Sequence, residues 1–219
     1  MRRQAFRLAT KDAQVFARLL DRDDLALNAR DLTEAPKGPT REAFLRRRAA
    51  TRRVVAERLA VAPAEVEVGH DQRGAPRLLR PEAGLYLSVS GRSDFCAIAI
   101  ASSPVGVDIE PLEPGTEPVW SALHAREAAL LRALPASAQG EGFLRLWTAK
   151  EAYLKALGTG FTREPAAIAV DVDFRVVDGG TEPRLLVGEW RAIELAGKRF
   201  LIACVVLSGY IECLASRGS

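Results

Sequence analysis

The sequence predicts an α+β protein built as a pseudo-twofold duplication of two similar α+β halves, and three observations carry that prediction. Helical and strand-like periodicities follow in the same order in each half of the chain. The run Phe95-Cys96-Ala97-Ile98-Ala99-Ile100 is faintly echoed by Phe200-Leu201-Ile202-Ala203-Cys204-Val205, each after a turn. With 219 residues, 48% of them hydrophobic, the chain can bury one large core or two small ones. The halves are drawn as residues 1–110 and 111–219.

In the first half, an apolar-periodic segment from about Ala13 to Leu27 precedes the stretch Glu34-Ala35-Pro36-Lys37-Gly38-Pro39, a loop signal. Thr40 is placed to cap a helix that runs to about Leu59. After Pro63 the pattern turns strand-like: Val66-Glu67-Val68, a turn at Asp71-Gln72-Arg73-Gly74, then Leu85 to Ser90, Phe95 to Ser102 and Val105 to Glu110. Gly91-Arg92-Ser93-Asp94 reads as a hairpin connection. The second half offers helices near His124 to Leu134 and Gly142 to Leu157, then strands near Ile168 to Phe174, Leu185 to Leu195 and Phe200 to Leu207. Gly158 falls where a helix C′ glycine is expected, a plainer reading than a phosphate loop at Gly158-Thr159-Gly160.

Composition narrows the function classes. The apolar run Leu201 to Leu207, even with Phe200 before it, is far short of the roughly 20 residues a membrane span needs, and the N-terminus has no apolar signal region, so a cytoplasmic protein is expected. Cys96, Cys204 and Cys213 lack metal-type spacing and read as small buried hydrophobes. Only His70 and His124 are present, with no serine or cysteine motif nearby, which argues against a histidine metal site or a hydrolase triad. The net charge of +3 hides an asymmetry: residues 1–60 hold 15 Lys+Arg against 8 Asp+Glu, the remainder 16 against 20. The excess lies on Arg41, Arg46, Arg47, Arg48, Arg52, Arg53 and Arg58 of one helix, either as a solvated face or as an anion site. With aromatics at 6%, no stacking platform for nucleic acid interleaves these charges.

The chemistry is carried by an acid where a leucine would be expected. Leu144, Trp147, Glu151 and Leu154 form one helical stripe, apolar except for Glu151. A carboxylate in that setting must be protonated, paired or metal-bound, and Lys155, four residues on, can answer one charge. In Val105-Gly106-Val107-Asp108-Ile109-Glu110 the i, i+2 spacing points Asp108 and Glu110 to one face of a strand. Three carboxylates and a lysine make a hard-oxygen site suited to Mg²⁺ or Mn²⁺ and to phosphoryl chemistry, and a cleft between the halves is expected.

At these residues the chain resembles the 4′-phosphopantetheinyl transferase superfamily, in its longer, two-halves-in-one-chain form. Gly106-Val107-Asp108-Ile109-Glu110 is similar to the family's G-[IV]-D-[IV]-E motif. Trp147-Thr148-Ala149-Lys150-Glu151-Ala152-Tyr153-Leu154-Lys155 is similar to W-[ST]-x-K-E-[AS]-x-x-K. Weaker likenesses are Gly74-Ala75-Pro76 to G-K-P, Leu87-Ser88-Val89-Ser90 to N-[LI]-S-H-S, and Arg52-Arg53-Val54-Val55-Ala56 to the basic helix; Glu127 resembles the acid between the two main motifs. Alanine at 75 and valine at 89 stand where the pattern has lysine and histidine.

The resemblance implies the fold of that superfamily and transfer of the phosphopantetheine arm of coenzyme A to a serine of an acyl or peptidyl carrier protein, releasing adenosine 3′,5′-bisphosphate. Such carriers serve fatty acid, polyketide or nonribosomal peptide biosynthesis. It implies Mg²⁺ on Asp108, Glu110 and Glu151, catalysis by Glu151, Lys155 and Glu127, and coenzyme A contacts from Arg52, Pro76, Ser88, Lys150 and Lys155. A monomer, with no nucleic-acid or membrane partner, is expected. Trp120 and Leu123 fall in a region resembling the family's carrier contact, although a large aromatic such as Trp120 is first expected in the core. Two alternatives stay open: a weakened carrier-binding relative, and a metal-dependent hydrolase of nucleotide pyrophosphates.

Overall fold

A strand of small and β-branched residues that alternates no polar side chain must be covered on both faces, and Phe95–Ala101 (β6) is buried along its whole length. It lies at the centre of the molecule, a computed structural model that describes residues 3–7, 13–20, 27–159, 163–171, 173–178 and 184–207. Around it runs a six-stranded antiparallel sheet in the order Arg3–Arg7 (β1), Gln14–Leu19 (β2), β6, Tyr86–Arg92 (β5), Pro76–Arg80 (β4), Glu67–His70 (β3). One face, with Phe16, Ile98 and Ile100, packs on Val54 and Val55 of the helix Arg41–Leu59 (α2).

The opposite face meets a second antiparallel sheet of Val187–Leu195 (β11), Lys198–Val206 (β12) and Val105–Pro111 (β7). Val15, Ala97 and Ala99 interlock there with Val107, Ile109, Ile202 and Cys204, a sheet-on-sheet core. The outer face of the second sheet is covered by the helix Ala136–Leu157 (α4), whose small residues Ala149, Ala152 and Ala156 let it lie close. The layers are therefore helix, sheet, sheet, helix. A small sheet of Ile168–Val170 (β8), Arg175–Asp178 (β9) and Arg184–Leu185 (β10) packs on α4 through Ile168, Val170 and Val176. The α+β class holds.

β7 closes the first half of the sequence, yet its hydrogen bonds go to β12, with Asp108 opposite Ala203 and Glu110 opposite Leu201. Its other edge runs along β5, where the Ser88 hydroxyl accepts the Val107 N–H at 3.0 Å. The two halves thus interlock at this strand.

Several expectations needed correction. The segment from Ala13 supplies a strand, Gln14–Leu19, rather than one continuous periodic element to Leu27; residues 21–26 lie outside the described ones. Ahead of Pro36 stands a short helix, Ala29–Glu34 (α1), started by a reciprocal capping box of Asn28 and Asp31. Thr40 occupies the N-cap of α2 but makes no side-chain capping bond. Pro76–Arg80 is a strand, and it pairs with β5 only at Arg77 and Tyr86, so the edge of β5 beyond Tyr86 opens into a cleft. The strand expected over Ile168 to Phe174 ends at Val170, because Phe174 takes a positive φ of 55° in a turn before β9.

The arginine-rich face of α2 is not simply solvated. Arg46, Arg48 and Arg52 are buried, and each finds carboxylates: Arg46 pairs with Asp94 at 3.0 Å and with Glu42, Arg48 with Glu34 at 2.8 Å, and Arg52 with the fully buried Asp31. α1 supplies Asp31 and Glu34, which explains why that short helix docks on α2. Cys96 and Cys204 are buried thiols, with burial pushing Cys96 up to about 12; Cys213 lies outside the described residues.

Candidate active site

Gly106 decides where α4 sits. A Cβ added there would lie 1.8 Å from the carbonyl oxygen of Ala152 and 2.6 Å from the amide of Ala156, so helix backbone rests directly on strand backbone. Two and four residues on, Asp108 and Glu110 emerge on the same face of β7. From α4, Glu151 and Lys155, one turn apart, meet them. Beyond them Gly158 ends the helix in the left-handed region at φ 63°, its N–H bonded to the carbonyl of Lys155; of the glycine loop expected there, Gly160 lies outside the described residues.

Asp108 is 3% exposed. Its Oδ1 accepts from the Ser90 hydroxyl at 2.7 Å and from Lys155 Nζ at 2.6 Å, while its Oδ2 is buried with no hydrogen-bond partner. Glu110 accepts from Arg92 Nε at 2.7 Å, from Arg92 Nη2, and from Trp147 Nε1 at 3.1 Å. Burial pushes the Glu151 carboxyl above its ordinary range, and the negative charges of Asp108 and Glu110 push the same way against the pull of Lys155 and Arg92. Three carboxylates face two cations, leaving one negative charge over.

That surplus and the orphaned Oδ2 of Asp108 fit a small hard cation, whose preferred ligands are carboxylate oxygens. As the side chains stand, no group of three His, Cys, Asp or Glu closes on one point among the described residues. Arg92 and Lys155 occupy the carboxylates instead.

Glu151 and Lys155 also line a cavity of about 430 Å³ that fills the cleft beside β5. It is lined too by the turn Arg73 to Pro76, by Leu87, Ser88 and Val89, and by Arg163. The structure therefore brings together Glu151, Lys155, Pro76 and Ser88, with Asp108 and Glu110 directly behind. The two departures from the expected pattern, Ala75 and Val89, line the same cavity.

Three other candidates are not brought to it. Arg52 is 1% exposed and committed to Asp31. Lys150 and Glu127 are buried against each other at 2.5 Å. Glu127 also accepts the N–H groups of His124 at 2.9 Å and Val170 at 2.8 Å, and Lys150 donates to the Ala122 carbonyl at 3.1 Å. Burial pulls the Lys150 ammonium below its ordinary value, and the Glu127 carboxylate holds it up. This pair ties α4 to the helix Ala125–Arg132 (α3) and to β8. Sequence reasoning did not single out Ser90 and Arg92 as site residues; Ser90 was legible, since it repeats the i, i+2 spacing of Ser88.

Trp120 is not in the core. It is 37% exposed beside Val119, itself 53% exposed, and the Arg132 guanidinium lies 4.9 Å from its ring centre. Leu123 is buried. No helix among the described residues is long and apolar enough to cross a membrane.

Residues 104–204 match the family model described as the 4′-phosphopantetheinyl transferase superfamily. Among curated proteins the chain is 31% identical to the 4′-phosphopantetheinyl transferase HetI of Nostoc sp., over 78% of this chain and 72% of the relative. It is 32% identical to a 4′-phosphopantetheinyl transferase of Bacillus subtilis over 46% of this chain and 45% of the relative. To the 4′-phosphopantetheinyl transferase AcpT of Escherichia coli O157:H7 it is 33% identical, over 57% of this chain and 62% of the relative.

Proposed function

The chain belongs to the 4′-phosphopantetheinyl transferase superfamily, and from that membership we infer that it moves the phosphopantetheine arm of coenzyme A onto a serine of an acyl or peptidyl carrier protein. The observation that carries this reading is that Glu151 and Lys155 line a cavity of about 430 Å³ while Lys155 pairs with the buried Asp108 behind it. Asp108, Glu110 and Glu151 would hold Mg²⁺, with Mn²⁺ as a substitute. Bound there, the cation supplies charge neutralisation for a pyrophosphate.

In the reaction the serine Oγ attacks the phosphorus bearing the pantetheine arm. The bond from that phosphorus to the bridging oxygen breaks, and adenosine 3′,5′-bisphosphate leaves with the electron pair. Glu151, whose raised proton affinity suits a base in a half-buried site, accepts the serine proton directly or through a water. Lys155 answers the charge on the transferred group. Ser88 keeps its hydroxyl proton as a donor towards the cavity, and Pro76 borders the adenine. Glu127 and Lys150 act from behind by fixing α4, and Arg52 by holding α1 to α2; Arg73 and Arg163, which line the cavity, are the arginines placed to meet a terminal phosphate.

Intact-mass measurement of a panel of apo carriers, incubated with coenzyme A and Mg²⁺, tests the reading: a modified serine supports it. Free phosphopantetheine would make the protein a pyrophosphate hydrolase, and no product a carrier-binding relative. Expected also are a cytoplasmic setting, a monomeric state, and no nucleic-acid or membrane partner.

The duplication is part of the same proposal. β6 and β12, which carry the echoed segments, are inner strands of their sheets, and the ring centres of Phe95 and Phe200, the first residues of the echo, lie 4.5 Å apart across the sheet interface. An ancestral pair of like subunits would meet in that way.

Two expected results follow. Val89 offers the 3′-phosphate of coenzyme A no donor, so Val89→His should tighten coenzyme A by up to about tenfold and leave the analogue lacking that phosphate unchanged. Calorimetric titration of both ligands checks this, and equal tightening of the two would remove Val89 from the phosphate end of the cavity. Trp120→Ala should raise the KM for carrier several-fold, on the order of 1 kcal/mol or more in binding, without altering the KM for coenzyme A or the thermal midpoint. A lower midpoint with no selective effect on carrier would return Trp120 to a packing role.

A further inference from the structure

Arg92 sits where a cation is wanted. It ends β5 beside the two-residue turn Ser93-Asp94, and its side chain is 52% exposed, yet its Nε and Nη2 point inwards to the two oxygens of Glu110, which is 6% exposed. Asp108 and Glu151 also act on it: all three carboxylates raise its proton affinity, the Glu110 bond most. These are the groups that would hold a divalent ion. The Trp147 bond uses only Oε1 of Glu110, so Oε2 is engaged by Arg92 alone among the contacts described.

We propose that Arg92 is the resident counter-cation of the carboxylate cluster, and that a divalent ion enters by exchange, taking Glu110 as Arg92 swings into water. The inference rests on the metal reading above. A guanidinium fork at the rim of a site is suited to such an exchange, because its partner is buried while its own stem is solvated and can be rehydrated cheaply. Glu110 is never left as a buried, unpaired charge, which would be costly. In this arrangement the fork competes with the ion, so the ion binds less tightly than three carboxylates alone would bind it.

The test is Mn²⁺ titration of the coenzyme-free protein at fixed ionic strength, read by calorimetry and by the paramagnetic resonance signal of free Mn²⁺. Arg92→Gln keeps a polar side chain without the charge or the fork, and should tighten Mn²⁺ by about threefold to tenfold, the range of a partly exposed ion pair. Arg47→Gln is the control for net charge alone. Its guanidinium stem packs at Gly91, where an added Cβ would meet Arg47 Cδ at 2.6 Å, and it leaves the Arg92 fork in place; Mn²⁺ affinity should barely move. Equal tightening in both variants would reduce the effect to a field, and unchanged or weaker binding in Arg92→Gln would make the fork a brace that orients Glu110; either result overturns the exchange. Asp108→Asn separates the two layers of inference. It should weaken Mn²⁺ strongly, and undiminished binding in that variant would sink the carboxylate site itself rather than the role of Arg92.

Discussion

Glu151→Gln, Asp108→Asn and Glu110→Gln should each lower turnover at least about 100-fold, equivalent to roughly 2.7 kcal/mol of transition-state stabilisation. Each exchange keeps the shape of the side chain and removes one negative charge from the cluster. The loss should appear mainly in kcat, since the cavity proposed for coenzyme A is not lined by Asp108 or Glu110, and Glu151 is one of many groups around it. Asp108→Asn carries a further mark: Lys155 loses its charged partner, so in the absence of a divalent ion coenzyme A, which is anionic, should bind at least as well as before. Carrier modification followed by intact mass over time measures the rate. Near-normal turnover by the Glu151→Gln protein in Mg²⁺ would falsify the assignment of Glu151 as the group that takes the serine proton.

Gly106→Ala should be nearly as damaging without touching a charged group. The added methyl would need to occupy the space of the Ala152 carbonyl, 1.8 Å away, and backbone cannot rotate aside as a side chain can. Relief requires α4 to lift from β7 by on the order of 1 Å, and displacements of that size cost about 100-fold when they move catalytic groups. A loss of about 1–3 kcal/mol in stability should accompany it. Gly158→Ala is the contrast in packing: nothing lies within 4 Å of the new methyl, which borders the cavity, so the helix is not displaced and the strain of φ 63° adds only about 1 kcal/mol, with a smaller loss of turnover than Gly106→Ala. Chemical denaturation and turnover of the two variants, side by side, check both statements. A fully active Gly106→Ala protein would mean that the contact between helix and strand does not position Glu151.

The carboxylates were legible because their spacing is local. Two residues along a strand, and four along a helix, define a face without any knowledge of the fold, and a lone acid in an apolar stripe demands a partner. The long strands were legible for the same reason. What the sequence hid depended on residues far apart. Arg46, Arg48 and Arg52 look solvated until Asp94, Glu34 and Asp31 are brought over them. α1 itself is too short and polar to show a periodicity; its capping box was the only local sign. By motif Glu127 looks catalytic and Lys150 a coenzyme A contact, yet their burial against each other comes from the docking of α3 on α4. β9 and β10 are two to four residues long, below what alternation can reveal.

The pairing of β7 with β12 has a consequence for the nascent polypeptide. Asp108 and Glu110 are made well before the strand that aligns them, so until β12 follows, β7 can only lean on β5 with one edge unsatisfied. Pairing across so much intervening sequence carries a large loop-closure entropy and is slow to form. The cluster of acids is therefore completed only when nearly all of the described architecture exists, and incomplete chains should lack the capacity to capture a divalent ion or to act on a carrier.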